Sequence, residues 1–354
     1  MSDRSALHVA LLYDAMSDAA DAAPDVGIGA TLDAVASALR DDGHRVERVA
    51  VGGDGRWLQR VRGADVVFNL CEGIGGDASG EARVIAAIEL SGVPFTGASS
   101  WTAALCLRKP AVNALLAREG SPVPPFAVVR AAGDLAAAGR VAGFPCVIKP
   151  AAEDASIGVT QASVARDPAA LEARGAEMLG RWSELVVQRY VAGRELNVGV
   201  LGEEPLPPSE IDFGAMPEGL WPIVTYESKW NVGSAEDLGA RPLCPAPVTG
   251  SLGSELARLA LAAWRAVGGT GYGRVDFRVD DAGRPWVLEV NGNPDFAPDA
   301  GFARMAAAAG LPYAALVRRV LAEALDRADA ASLGSDDAPT TDGVDAALLA
   351  SGVH

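Results

Sequence analysis

The chain has 354 residues, 49% of them hydrophobic and 21% charged, which excludes a largely disordered protein and provides length for two or three lobes with real cores. A net charge of −16 excludes a broad electrostatic hold on nucleic acid or an anionic membrane, so any phosphate site has to be built locally. Cys71, Cys106, Cys146 and Cys244 show no CxxC spacing, and His8, His44 and His354 form no cluster, so neither a disulfide framework nor a zinc cage is expected.

In chain order, 9–13 is a short apolar run of the kind that forms a strand covered on both faces. Leu32, Val35, Ala36 and Leu39 recur at helical spacing over 31–40, closed by Gly43. Strands are expected at 46–51, 65–70 and 94–96, with a helix over 82–90 ended by Ser91-Gly92. This alternation predicts an α/β lobe over 1–110 with a parallel, helix-covered sheet. Gly27-Ile28-Gly29 is too sparse for a dinucleotide-binding fingerprint. Pro122, Pro124 and Pro125 mark a linker, after which a central lobe over 111–200 carries strands at 146–149, 158–164, 185–190 and 196–201 and a helix at 168–179. A third lobe over 201–329 has a long polar loop (225–239), helices at 252–267 and 313–327, and two strands joined by a tight turn. Residues 330–354, with Asp336, Asp337, Asp342 and Asp345 and no Lys or Arg beyond Ala330, are expected to form a mobile acidic tail. No apolar run reaches membrane-spanning length, and a reduced, cytoplasmic, soluble protein with no membrane partner is expected.

The most informative stretch is 274–291. Arg274-Val275-Asp276-Phe277-Arg278-Val279 and Trp286-Val287-Leu288-Glu289-Val290-Asn291 both alternate with the period of a strand, and Asp280-Asp281-Ala282-Gly283 between them suits a hairpin turn. If the turn centres between Ala282 and Gly283, Asp276 faces Glu289 and Arg274 faces Asn291, all on one side of the sheet. Two carboxylates with Cβ atoms about 4.5–5.5 Å apart repel each other. A divalent cation reverses that sign, and two carboxylates with an amide oxygen make a hard donor set suited to Mg²⁺ or Mn²⁺. The other reading is a solvated face whose acids are neutralised by Arg274 and Arg278. Two further features are individually weak. Lys149 ends a strand and precedes the small-residue loop Ala151 to Gly158, which offers an ammonium and backbone amides to phosphates. The strand Val186-Val187-Gln188-Arg189-Tyr190-Val191 leads to Glu195 and is placed to offer a base its backbone and a ribose its carboxylate.

Taken in order, these three features resemble the ATP-grasp superfamily and, within it, D-alanine–D-alanine ligases. Further matching stretches are Glu89 to Gly97, Arg108-Lys109-Pro110, Tyr226-Glu227-Ser228-Lys229-Trp230 and Gly271 to Asp276. The resemblance covers about 65–325. It implies an α/β (α+β) ATP-grasp fold with ATP between the last two lobes, and an ATP-dependent carboxylate–amine ligase working through an acyl phosphate. It also implies two Mg²⁺ ions, small-molecule carboxylate and amine substrates, and a homodimer. Residue by residue, it assigns Lys109 and Lys149 to the ATP phosphates, with Ser156 and its loop closing over the γ-phosphate. Gln188, Tyr190 and Val191 would line the adenine pocket, Leu288 would pack on the base and Glu195 would hold the ribose. Lys229 would reach the γ-phosphate from the polar loop, Asp276, Glu289 and Asn291 would hold the metal, and Arg274 would stabilise the tetrahedral oxyanion.

The chain departs from the family beyond the metal strand. Asp295 stands where the ligases have a glycine, and no serine follows nearby, so a free acceptor carboxylate would be repelled and an amino or guanidinium group favoured. Asp295 and Asp299 also suit ordinary turns beside Pro294 and Pro298. For the first substrate's amine, Asp14, Asp18 and Glu72 are the available acids. The expected product is therefore an amide or peptide other than D-alanyl-D-alanine. A small-molecule kinase and a non-catalytic nucleotide-binding protein are the alternatives.

Overall fold

Strands with apolar residues on both faces need helices on both sides, and the N-terminal lobe supplies them. In the computed structural model, which describes residues 6–18 and 26–335, β1 (His8–Asp14), β2 (Arg45–Val51) and β3 (Val66–Asn69) form a parallel sheet in the order β2-β1-β3. Val9 and Leu11 of β1 pack towards α1 (Val26–Asp41), while Ala10 and Leu12 pack towards α2 (Trp57–Val61) and α3 (Glu81–Ser91). The strand expected at 94–96 is reduced to one parallel bridge between Val67 and Phe95, since Pro94 lacks an amide hydrogen for a longer ladder. Helices α4 (Ser100–Leu107) and α5 (Lys109–Arg118) lead out of the lobe.

The central lobe is an antiparallel sheet in the order β4-β7-β5-β6, built from β4 (Phe126–Val129), β5 (Cys146–Pro150), β6 (Val164–Ala165) and β7 (Leu185–Arg189). Helices α6 (Leu135–Ala142) and α7 (Pro168–Leu179) cover one face and share with it a core that includes Leu135, Ile148, Leu171 and Val187. Asp167 caps α7 by accepting from the Ala170 amide, with Pro168 in its first turn, as the helix expected at 168–179 requires. The strand expected at 158–164 is a loop. Ala155 and Ser156 take left-handed conformations (φ +54° and +60°), and Gly158 folds back against Trp182 and Pro150, leaving only Val164–Ala165 to pair with β5.

The third sheet runs β11-β10-β8-β12-β13, with β9 paired to β8. Its strands are β8 (Arg194–Leu201), β9 (Glu204–Pro205), β10 (Ser209–Asp212), β11 (Arg241–Leu243), β12 (Tyr272–Val279) and β13 (Pro285–Gly292). The polar loop before β11 contains two short helices, α8 (Tyr226–Trp230) and α9 (Ala235–Gly239), capped by Thr225 and Ser234. Helix α10 (Gly250–Ala266) seats the fully buried Trp264 on the backbone of Gly273. A methyl group at Gly273 would lie inside the indole, so Gly273→Ala is expected to cost about 1–3 kcal/mol, measurable by urea unfolding.

Helices α11 (Gly301–Ala308) and α12 (Tyr313–Ser335) close the chain. Helix α12 continues past the start of the tail expected at 330, and residues 336–354 lie outside the described residues. These helices bury Phe302, Met305, Leu316 and Val317 with Phe68 of β3 and Tyr272 of β12, so the first and third sheets share one core. The Phe296 ring bridges them, 5.6 Å from Phe68 and 5.2 Å from Tyr272 between centroids. Among the described residues no single helix is long and apolar enough to cross a membrane, and the bent α11–α12 pair spends its apolar length in this shared core.

Candidate active site

The β12–β13 ladder pairs Asp276 with Glu289 and Arg274 with Asn291, the register read from the sequence. The route to it differs. The turn centres on Ala282, with Val279 opposite Pro285, and a bulge at Leu288 restores the register beyond it. Val287 and Val290 both enter the core, so the bulge leaves Leu288 and Glu289 together on the opposite face. Asp276, 6% exposed, is gripped by the Arg274 fork at 2.7 and 2.8 Å, and accepts from Asn197 Nδ2 at 2.7 Å and Asn291 Nδ2 at 3.0 Å. Among the described residues no three His, Cys, Asp or Glu cluster as a self-sufficient metal cage. Two carboxylates and the Asn291 oxygen fit a hard cation that completes its shell with phosphate oxygens.

Four cations converge on this face. Lys109, at the start of α5, donates to the Glu153 carbonyl and lies 3.6 Å from Asp154 and 3.9 Å from Glu289. Burial alone would raise the Glu289 carboxyl, but Lys109, Lys149, Arg274 and Lys229 hold it well below the usual range. Lys149 projects from β5, and burial, reinforced by Lys109, pulls its ammonium below the ordinary value against the pull of Glu289. The small-residue loop and the lid that carries Lys229 are latched together. Trp230 Nε1 donates to the Ala155 carbonyl at 3.0 Å, Ser156 Oγ to the Val224 carbonyl at 3.3 Å, and the Tyr226 amide to the Val159 carbonyl at 2.9 Å. Enclosure and Arg274 lower the Lys229 ammonium, while Asp295, Glu72 and Glu289 oppose them.

Further along the cleft, Arg278 donates to the Val191 carbonyl (3.0 Å), the Tyr190 hydroxyl (3.1 Å), the Pro222 carbonyl (3.0 Å) and Glu195 (3.2 Å). Burial raises the Glu195 carboxyl to about 7 against the pull of Arg278. Arg278 and Asn197 are site residues that the sequence reading did not assign. The signal for Arg278 was its spacing, two residues beyond Asp276 on the same strand face. The structure thus brings together Lys109, Lys149, Lys229, Arg274, Asp276, Glu289 and Asn291, with Tyr190, Val191 and Glu195 further along the cleft.

The acids near the first lobe divide. Asp14 accepts from the Gly75 and Gly76 amides at 3.1 and 3.0 Å, so it braces a turn. Asp18 ends the short helical turn 15–18, and its side chain lies outside the described residues. Glu72 and Asp295 are exposed at the cleft, within electrostatic reach of Lys229, and Asp295 also accepts from the Ala297 amide at 2.9 Å. Asp299 is exposed before α11, where its carbonyl accepts from Arg304 at 2.7 Å, and it is not brought to the cleft by any contact among the described residues. The sequence reading missed Glu81, which opens α3 and accepts from Asn293 Nδ2 at 2.8 Å, while Asn293 Oδ1 accepts from the Ala98 amide at 2.7 Å. Burial, aided by Glu72 and Asp154 and opposed by Asn293, pushes the Glu81 carboxyl up to about 8 from 4.5. The folded state therefore binds an extra proton between these values and loses stability as pH rises through them, at about 1.4 kcal/mol per pH unit. Glu81→Gln, which keeps the acceptor for Asn293, is expected to melt higher than the wild type at pH 8.5 and no higher at pH 4, as read by thermal denaturation.

The family model described as D-ala D-ala ligase C-terminus matches residues 115–322. The D-alanine–D-alanine ligase of Parvibaculum lavamentivorans is 34% identical over 299 residues, which span 82% of this chain and 90% of that protein. An uncharacterised protein, y4sG, of Sinorhizobium fredii is 31% identical over 307 residues, covering 83% and 87%. Among solved structures, the D-alanine–D-alanine ligase from Bacillus anthracis complexed with ATP superposes with a TM-score of 0.72 at 18% identity, over 92% of this chain and all of that one.

Proposed function

Because this chain belongs to the D-alanine–D-alanine ligase family, whose members are ATP-dependent ligases of the ATP-grasp fold, we propose that its cleft joins a small carboxylic acid to an amine through an acyl phosphate. The observation that carries this reading is the hairpin face on which Asp276 stands opposite Glu289 beneath four cations. Lys109 and Lys149 hold the ATP phosphates, and Ser156, Lys229 and the latched loops shut water out of the cleft. Gln188, Tyr190 and Val191 line the base, with Leu288 packed on it and Glu195 holding the ribose. Mg²⁺, as two ions in this proposal and with Mn²⁺ an acceptable substitute, would be held by Asp276, Glu289 and Asn291 and would neutralise charge on the transferring phosphoryl group. The donor carboxylate attacks the γ-phosphorus, releasing ADP. The amine then attacks the acyl carbon, Arg274 donates to the developing oxyanion, and phosphate leaves.

We further propose that the acceptor carries a cationic group and that the product is not D-alanyl-D-alanine. The support is Asp295, an exposed carboxylate within reach of Lys229 and Arg274 at the place where the acceptor lies in this scheme. Glu72, within electrostatic reach of Lys229, is the proposed partner for the first substrate's amine. Phosphate release with Mg²⁺, ATP and pairs of amino acids, followed by product mass, tests both parts. Hydroxamate formed from one acid in hydroxylamine supports the acyl phosphate. Phosphorylated product without amide would favour a kinase, and D-alanine pairs reacting as fast as any other would overturn the substrate assignment. A homodimer joined through the first lobe is proposed as well, supported by Leu90 and Trp101, which are 87% and 68% exposed at neighbouring helices, and is tested by light scattering. A cytoplasmic location completes the proposal.

A further inference from the structure

Gln161, in the helical turn Gln161–Ser163 between the small-residue loop and β6, gives its whole side-chain amide to the polar loop that carries Lys229. Its Oε1 accepts from the Trp221 amide at 2.6 Å, and its Nε2 donates to the Trp221 carbonyl at 3.3 Å and to Glu236 of α9 at 3.0 Å. The same oxygen of Glu236 accepts from the Thr225 hydroxyl at 2.5 Å. Thr225 is fully buried and caps α8, where its Oγ1 accepts from the Ser228 amide at 3.1 Å and its carbonyl from the Lys229 amide at 3.2 Å. A hydroxyl that donates to a carboxylate is polarised into a better acceptor for the amide it caps. One side chain of the central lobe thus ties both ends of the segment 221–236, with Lys229 between them. Trp221 has further support, since its ring lies 5.1 Å from that of Tyr190 and 5.0 Å from the Arg166 guanidinium. Removing the contact between Gln161 and Glu236 therefore loosens α8 and α9 and leaves the Trp221 end in place.

We propose that Gln161 and Glu236 are positioning residues that hold Lys229 over the third phosphate, so that discrimination of a nucleoside triphosphate from a diphosphate depends on their contact. Neither touches the nucleotide in this scheme. The two nucleotides differ only in the group that Lys229 meets, so loss of the pair is read in the triphosphate and not in the diphosphate. This inference rests on the reading of the cleft as the nucleotide site and adds the pair that sets the lid cation.

Titration calorimetry of the full-length protein with MgADP and with the Mg²⁺ complex of the β,γ-imido analogue of ATP tests it without any turnover. Gln161→Met, similar in length and without the amide, is expected to weaken the analogue at least fivefold and MgADP less than twofold. Glu236→Ala, at a half-buried position of the lid, is expected to do the same, and it reads the contact from the other side should the first variant not fold. Glu236→Gln keeps an oxygen for Thr225 and Gln161 and is expected to bind both nucleotides within twofold of the wild type. In a Lys229→Ala background, Gln161→Met is expected to add less than a further twofold. Unchanged analogue affinity, equal weakening of both nucleotides, or a loss that adds in full to that of Lys229→Ala would overturn the proposal. Absence of MgADP binding to the wild type would instead remove the nucleotide cleft and this inference together.

Discussion

Glu289→Gln is expected to lower ligation by about a thousandfold, the loss that follows when several kcal/mol of charge stabilisation leave the phosphoryl-transfer step. The carboxylate is held ionised by Lys109, Lys149, Arg274 and Lys229, and unlike Asp276 it is not gripped by the Arg274 fork. Neutralising it removes the counter-charge those four cations share, so the free protein loses stability as well. ATP without Mg²⁺ is expected to bind this variant more tightly than the wild type, because the tetraanion meets a face that has lost one negative charge. Calorimetry with and without Mg²⁺ separates the two effects. A variant that kept both its activity and its Mg²⁺ dependence would remove the metal from this face.

Arg274→Met should lower overall ligation by about a hundred- to a thousandfold, the usual loss when one oxyanion donor is removed. It also strips the bidentate partner from a carboxylate that is 6% exposed, so a stability loss accompanies it. Arg274→Lys keeps the charge and loses the fork, and is expected to recover stability better than rate. The partial reaction separates the roles. Phosphoryl transfer, followed by isotope exchange at the β,γ-bridge oxygen of ATP, should fall less than amide formation. Equal losses in both would place Arg274 with the metal ligand rather than with the oxyanion.

The site was legible where chemistry follows strand period. Arg274, Asp276, Glu289 and Asn291 could be set face to face because alternate residues share a side. The bulge at Leu288 could not be read, since nothing local distinguishes it from its apolar neighbours, and the correct register came from a turn placed half a residue late. The loop at 158–164 escaped for a different reason. Its Val159, Thr160 and Val164 have strand propensity, but the left-handed backbone at Ala155 and Ser156 and the contact of Gly158 with Trp182 override it. Helices α8 and α9 did leave a trace, in Thr225 and Ser234 one turn before Ser228 and Asp237. Glu81 and Asn293 left none, because the bond between them spans 212 positions.

The core shared by the first and third sheets has a mechanical consequence. Phe68, Tyr272, Phe296 and Phe302 weld those two parts into one jaw, whereas the central sheet keeps a core of its own. Lys149, Gln188 and Ser156 belong to the second jaw, while Arg274, Asp276 and Glu289 belong to the first. In the proposed scheme the phosphate chain is therefore neutralised from two separately built parts of the chain. Under that scheme hydrolysis is kept in check by the need for both parts together, as much as by exclusion of water.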